Sequence, residues 1–442
     1  MAWPDSFEKA YLRWRRFVPS RLLYHPQHFE ILALERRFAA QPQERAAWVD
    51  AKLRTLLTGA LRHVPHYRDT IKVPDAELAQ APAMELLQRF PVLEKAEVMA
   101  AQNRFLDERF KSPLMHYATS GGSSGEGIGL WRNKRLADIE RAFFTFHWAP
   151  AGFSFDKARL LRIGADARAQ AHEPPCRVVG NRLMLSPYHV NEQHRGAIVA
   201  ALREFRPQCI HAYPSLAAAL AELLQGMRPE DCGLDALRGV VLASEPATAA
   251  QLATTHAAFG VPIIVNYGLT ERTNIAFARY EPGRPLRYRF DALYGVNENR
   301  DWQGLPEIVG TSLWNDVMPL IRYATRDFGR IDEQGVCERL EGRAQEFLVD
   351  RNGARMPGLS IVIDEVTWDF VRLYQVQQER PGAIRIAVVP REAPLSEVQR
   401  AFVLDAQLKR WGSFFDVELV EVDDIPPAAN GKRKLVVSLV QA

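Results

Sequence analysis

The sequence predicts an α/β fold: a large N-terminal domain with mixed β-sheets flanked by helices, then a small α+β C-terminal domain. Three observations predict it. Short β-rich runs alternate with helical patterns from about residue 158 to residue 266, as in a mainly parallel sheet with helices packed on it. Residues 1–110 carry helical periodicity. After Gly342-Arg343 a shorter β/α unit begins, large enough to be a domain by itself. The segments are therefore 1–110, the helical part of the large domain, 111–343, its core, and 344–442, the small domain.

The elements are set by periodicity and punctuation. Phe29–Phe38 and Trp48–Leu61 repeat apolar residues at helical spacing, and Pro65, Pro74, Pro82 and Pro91 punctuate the next stretch of chain. Ala158–Ile163, Val178–Leu185, Gln208–Ala212, Gly239–Ala243 and Pro262–Asn266 read as strands. Helices are expected at Glu192–Phe205, at Ser215–Leu224 with Ser215 as N-cap, and at Thr248–Phe259 with Thr248 as N-cap. Residues 287–329 are strand-rich. The small domain should hold strands at Glu346–Val349, Gln375–Gln378 and Ile384–Val389, a helix from Ser396 to Trp411, and a strand at Phe415–Val422.

Composition narrows the function. The 442 residues are 47% apolar and 25% charged, an ordinary soluble globular balance. With 56 basic against 53 acidic side chains, the chain lacks the excess charge that a nucleic-acid partner calls for. Cys176, Cys209, Cys232 and Cys337 form no C-x-x-C pair, which fits a reducing, cytoplasmic setting and offers no cysteine zinc site. His25/His28 and His63/His66 lack a surrounding ligand set and read as packing or surface residues. No apolar run approaches the ~20 residues of a membrane span. Arg15-Arg16 precedes no hydrophobic segment, so no export signal is expected. Phe7, Tyr11, Trp14 and Val18 form a helical stripe that suits docking on the protein's own core better than a membrane surface.

The chemistry centres on Thr119-Ser120-Gly121-Gly122-Ser123-Ser124-Gly125. Glycines let backbone N–H groups face a bound anion, and hydroxyls add donors, so the loop suits a polyphosphate. It lacks the Lys-Ser/Thr ending of a Walker A loop. Ala243-Ser244-Glu245-Pro246 leaves one predicted strand, and Asn266-Tyr267-Gly268-Leu269-Thr270-Glu271 leaves the next. In the second, an aromatic can cover a base, a hydroxyl can bond phosphate and a carboxylate can hold Mg²⁺. Met318 to Asp327 ends in a carboxylate suited to ribose hydroxyls, and Asn430-Gly431-Lys432 places a lysine on a tight loop.

In order and spacing these motifs resemble the adenylate-forming (ANL) superfamily, above all its phenylacetate–CoA ligase and CapK-like branch. The resemblance runs from His63-Val64-Pro65-His66-Tyr67-Arg68 through His211-Ala212-Tyr213-Pro214-Ser215 and Gly342-Arg343 to Gly431-Lys432. It implies ATP-dependent activation of an aromatic or short aliphatic carboxylic acid as acyl-AMP, then transfer to a thiol, with ATP, Mg²⁺ and coenzyme A as cofactors. By resemblance, Thr119, Ser120, Gly121, Ser123, Ser124 and Gly125 would wrap the β- and γ-phosphates. Ser244, Glu245, Pro246 and Tyr267 would frame the adenine, and Asp327 would hold the ribose with Arg343 near it. Thr270 would touch the α-phosphate and Glu271 would bind Mg²⁺. Lys432 would bridge carboxylate and α-phosphate, on a small domain that is mobile and turns at Arg343-Ala344-Gln345. His211, Tyr213 and Gly268 would adjoin the acid pocket.

Three positions depart from the family pattern. The loop continues as Glu126-Gly127-Ile128 where relatives have Pro-Lys, leaving Arg132 and Lys134 as the nearest downstream cations. Gln345 replaces a hinge Asp or Lys, and Arg326-Asp327 stands where relatives often have Gly-Asp. The acceptor stays open between CoA, a carrier-protein thiol, an amine and a hydroxyl, as does a homodimer. Gly121-Gly122-Ser123-Ser124-Gly125 also satisfies the G-x-S-x-G elbow of serine hydrolases, which needs a strand before it and a helix after it. A catalytically degenerate nucleotide-binding scaffold is the remaining alternative.

Overall fold

A computed structural model describes residues 17–110, 115–119, 128–133, 135–167, 169–170, 172–244, 247, 249–302, 305–338, 340, 347–357, 370–390, 394–425 and 436–440. The helical reading of the N-terminal segment holds: α1 spans Pro26–Ala40 and α2 spans Arg45–His63. The prolines after them begin short helices, Pro65 as the first helical residue and Pro74 and Pro82 as N-caps. A fixed φ and a missing N–H do no harm at a helix start. Next come a hairpin, β1 (Met115–Thr119) and β2 (Gly129–Asn133), and the helix α3 (Leu136–Trp148).

The main sheet takes shape in the segment where strands and helices alternate. Its strands are β3 (Leu160–Ile163), β4 (Cys176–Val179), β5 (Arg182–Leu185), β6 (Cys209–Ala212), β7 (Gly239–Leu242), β8 (Ile263–Gly268), β9 (Ile275–Arg279) and β10 (Tyr288–Phe290). Between them run α4 (Arg195–Phe205), α5 (Pro214–Leu223) and α6 (Ala249–Phe259). A second sheet of β11 (Gly295–Trp302), β12 (Leu305–Ser312) and β13 (Tyr323–Phe328) is antiparallel throughout. With β14 (Val336–Cys337), the main sheet has nine strands in the order β14-β10-β9-β8-β7-β6-β3-β5-β4. Its centre, β5-β3-β6-β7-β8, is parallel, and both edges are antiparallel.

Strand periodicity assigns the two faces. Leu160, Cys209, Val241 and Ile264 pack with the N-terminal helices and α3. Their neighbours Leu161, Ile210, Val240, Leu242, Ile263 and Val265 pack with α4 and α5 on the other face. Both faces are covered, as central parallel strands require.

The small domain holds a hairpin of β15 (Phe347–Val349) and β16 (Arg355–Pro357) and a four-stranded sheet. That sheet comprises β17 (Val371–Gln378), β18 (Ala383–Pro390), β19 (Asp416–Glu421) and β20 (Val436–Ser438). Its helix α7 (Glu397–Trp411) starts with a capping box of Ser396 and Gln399. Tyr188 of the large domain joins its apolar core, 5.0 Å from the Trp411 ring and 4.9 Å from Phe414.

Two expectations are corrected. Val178–Leu185 is not one strand: Gly180, at φ 62°, turns the chain into the antiparallel pair β4–β5. Ser215 is not an N-cap, because Pro214 occupies the first position of α5 and Tyr213 caps it. Thr248, Phe7, Tyr11 and Trp14 lie outside the described residues. Among the described residues, no helix is long and apolar enough to cross a membrane.

Candidate active site

The candidate residues gather beyond the carboxyl ends of the central parallel strands, where ligands bind in open α/β sheets. Ser244 follows β7 and Tyr267 and Gly268 end β8, while Thr270 and Glu271 form the turn after it. Asp327 reaches the same place from β13 of the second sheet. Tyr267 Oη donates to Asp327 Oδ2 at 2.9 Å, so the expected base-covering ring and the ribose-binding carboxylate form one unit. Asp327 is buried, and its backbone N–H donates to Thr325 Oγ1 at 3.1 Å.

Glu271 Oε1 accepts from Tyr323 Oη at 3.2 Å, which sets the direction of the carboxylate. The Thr270 carbonyl accepts from Arg132 Nη2. Arg132 projects from β2, is buried, and brings a cation directly beneath the Thr270-Glu271 turn. Burial lowers its pKa to about 10, Arg272 adding to the effect and Glu140, Tyr294 and Glu271 opposing it. It therefore stays charged at neutral pH. Arg272, at φ 56°, pairs with Glu140 at 3.1 Å, and Tyr294 Oη donates to Glu140 Oε1 at 3.1 Å. A charged network thus fixes the turn from below.

Backbone strain collects here too. Ser244 (φ 73°), Arg272 (φ 56°) and Arg326 (φ 59°) occupy the left-handed region that non-glycine residues avoid. Arg326 stands at the position expected to hold glycine by resemblance, and glycine adopts this conformation without penalty. The arginine is held there by Glu94 at 2.8 Å, by its own N–H on Glu307 Oε1 at 2.9 Å, and by Trp302, whose ring centroid is 4.8 Å away.

Tyr67 is fully buried, donates to the Pro319 carbonyl at 2.9 Å and accepts from the Ile321 N–H at 3.2 Å. It thereby pins the start of the segment that ends in Asp327. Gly268 faces open space: a Cβ there would meet only the Asn274 carbonyl, at 3.9 Å. His211 packs on Trp148 and Phe153, with ring centroids 5.0 and 6.1 Å away. Burial, with Arg162 and Arg182 adding to it, holds its imidazole well below the usual histidine range. Tyr213 is buried in the cluster on the opposite face of the sheet.

The glycine loop leaves Thr119 at the end of β1, and the chain returns in β2, the antiparallel partner of β1. This hairpin setting differs from the strand-to-helix turn of a hydrolase elbow. Ser120, Gly121, Ser123, Ser124, Gly125, Lys134, Glu245, Pro246, Arg343, Gln345 and Lys432 lie outside the described residues. For Arg132, Tyr323 and Tyr67, all within or beside the motifs, the structure adds the partners: the Thr270 carbonyl, Glu271, and the Pro319–Ile321 backbone.

The chain matches no model of a known protein family. It is 24% identical over 254 residues to the phenylacetate–coenzyme A ligase of Escherichia coli (strain K12), covering 51% of this chain and 56% of that protein. The match thus spans little more than half of the relative's length. In three dimensions the chain resembles 2-hydroxyisobutyryl-CoA ligase in complex with 2-HIB-AMP and CoA. In the thioesterification state the TM-score is 0.53 at 15% identity, covering 90% of each chain. In an open conformation it is 0.50 at 16% identity, covering 89% of this chain and 91% of the other. The chain is therefore similar in sequence to a phenylacetate–coenzyme A ligase over about half its length, and it shares the fold of 2-hydroxyisobutyryl-CoA ligase.

Proposed function

We infer that the protein activates a carboxylic acid with ATP as acyl-AMP and passes the acyl group to a thiol, coenzyme A. The observation that carries this reading is the Tyr267–Asp327 hydrogen bond at the end of β8, with Glu271 four residues on, oriented by Tyr323. A base-covering ring, a ribose-binding carboxylate and a fixed carboxylate at the phosphate end match the parts of a bound ATP in order.

In the first half-reaction a substrate carboxylate oxygen bonds to the α-phosphorus and pyrophosphate leaves. Two anions must approach, so fixed cations and oriented N–H groups have to offset the charge that develops. Arg132 supplies a fixed positive charge beneath Thr270, and it supports the reading despite the missing loop lysine. Glu271 offers the hard oxygen that Mg²⁺ takes, and the bound ion would neutralise phosphate charge. The glycine loop after Thr119 would hold the β- and γ-phosphates, Ser244, Glu245 and Pro246 would frame the adenine, and Lys432 would bridge the reacting groups. In the second half-reaction the thiol sulfur attacks the acyl carbonyl and AMP leaves. An aromatic or short aliphatic acid is the substrate class we propose, the aromatic half of it supported by the phenylacetate ligase similar in sequence.

Lys432→Ala separates the halves. Acyl-AMP formation should fall by at least about a hundredfold, as for loss of a transition-state contact, while a supplied acyl adenylate still reacts with CoA. Equal loss of both halves would remove Lys432 from the adenylation step. Nucleotide binding by the wild-type chain with no acyl-AMP formed would favour a degenerate scaffold.

A further inference from the structure

Apart from the candidate active site, three elements bring Glu35 of α1, His147 of α3 and Asp291, which comes directly after β10, to one point. One carboxylate oxygen each from Glu35 and Asp291 and one ring nitrogen of His147 lie within 4.8 Å of one another. His147 Nε2 is 2.6 Å from Asp291 Oδ2. The other oxygen, Asp291 Oδ1, accepts the N–H groups of Leu293 at 2.8 Å and Tyr294 at 3.3 Å, so this carboxylate is fixed in direction. The His147 ring is fixed as well, stacked on Phe277 with centroids 4.0 Å apart.

Two independent features ask for a ligand. Glu35 is only 7% exposed, and its Oε1 meets no hydrogen-bond donor. A buried carboxylate with one oxygen left unpartnered is among the costlier groups to keep in a fold. The second feature is the donor set. One imidazole nitrogen with two carboxylate oxygens suits a divalent transition ion, whereas Mg²⁺ and Ca²⁺ favour oxygen alone.

We propose that Glu35, His147 and Asp291 form a divalent transition-metal site, best matched to zinc, that clamps α1 and α3 to the end of β10. Three protein ligands leave a fourth position for water. Tetrahedral donors around zinc stand roughly 3.3 Å apart, so the His147–Asp291 pair opens by less than about 1 Å to admit it. The His147 side chain is 24% exposed, which gives the ion a way in. No cysteine takes part, so the site is separate from any cysteine zinc centre.

The test uses the full-length protein, stripped with chelator, dialysed against zinc and analysed for bound metal and melting temperature. The proposal expects one zinc per chain and a higher melting temperature, with a d–d absorption band when cobalt(II) replaces zinc. Glu35→Gln and His147→Ala should each lower bound zinc at least tenfold and abolish the zinc-dependent shift. Glu35→Gln is the decisive variant. A glutamine amide can still donate to Asp291, so it preserves a site that only shares a proton between two carboxyls and disables a metal site. Folded wild-type protein that retains no zinc and shows no shift overturns the proposal, as does zinc binding that survives both substitutions.

Discussion

Tyr267 and Asp327 are 60 residues apart in sequence and 2.9 Å apart in space. If Asp327 holds the ribose, Asp327→Ala should weaken ATP binding by roughly ten- to a hundredfold, in line with ~1.5–3 kcal/mol for a hydrogen bond to a charged group. Tyr267→Phe, which keeps the ring and loses one hydrogen bond, should cost less than about tenfold. Calorimetric titration of ATP checks both, and an unchanged affinity in Asp327→Ala would falsify the ribose assignment. His211 gives a pH prediction. Its native imidazole stays neutral where the unfolded one, near pH 6.5, takes up a proton. The unfolded state then binds more protons, so stability should fall as pH drops through about 6.5 and hold above it. His211→Gln should flatten the melting-temperature profile between about pH 8 and 5.5. Part of the slope should remain, because burial lowers the pKa of His28, His66 and His194 as well. A profile unchanged by the substitution would mean that His211 contributes nothing to it. The Tyr267–Glu271 cluster was legible because five consecutive residues carry the pattern. Arg132 was a candidate cation in the sequence, but its partner and that of Tyr67 came only from structure, since they lie 138 and 254 residues away.

At the scale of elements, the second sheet is pressed against the turn it supports. Gly310 of β12 lies so close to Asn274 that an added Cβ would stand 2.0 Å from Asn274 Oδ1. Asn274 is committed in turn: its Nδ2 donates to Asn297 Oδ1 at 2.6 Å and its Oδ1 accepts from Thr273 Oγ1 at 2.6 Å. Gly310→Ala should therefore destabilise the protein by about 1–3 kcal/mol, the usual range for overpacking. It should also loosen the loop from Tyr267 to Asn274. Denaturant unfolding measures the first effect, and a midpoint equal to wild type would show that Asn274 can move aside freely. Most strands and helices were readable from period and punctuation, because parallel strands covered on both faces read as short apolar runs. The β4–β5 hairpin was not: its two strands are only four residues each, and the Gly180-Asn181 turn between them was absorbed into one apparent run. The start of α5 was misplaced because a serine beside a proline looked like the stronger cap.

At the scale of the whole molecule, two bodies meet where Tyr188 enters the core around Trp411 and Phe414. Gln170 adds polar links, its amide donating to the Lys409 carbonyl and its Oε1 accepting from Ser413 Oγ at 3.1 Å. The change of pattern after Gly342-Arg343 predicts a second domain, but this docking contact depends on long-range geometry that no local pattern carries. The same holds for Glu35, His147 and Asp291, which share no spacing in the sequence. If the Tyr267–Asp327 site, completed by the glycine loop and Lys432, adenylates a carboxylic acid, the reaction must also run backwards from acyl-AMP and pyrophosphate. Acid-dependent ATP–pyrophosphate exchange across a panel of aryl and short-chain carboxylic acids, with Mg²⁺ and no thiol, reads that reversal directly. Exchange is expected with at least one acid, and Lys432→Ala should abolish it. Folded protein that binds ATP yet exchanges pyrophosphate with none of the acids would contradict adenylation at this site.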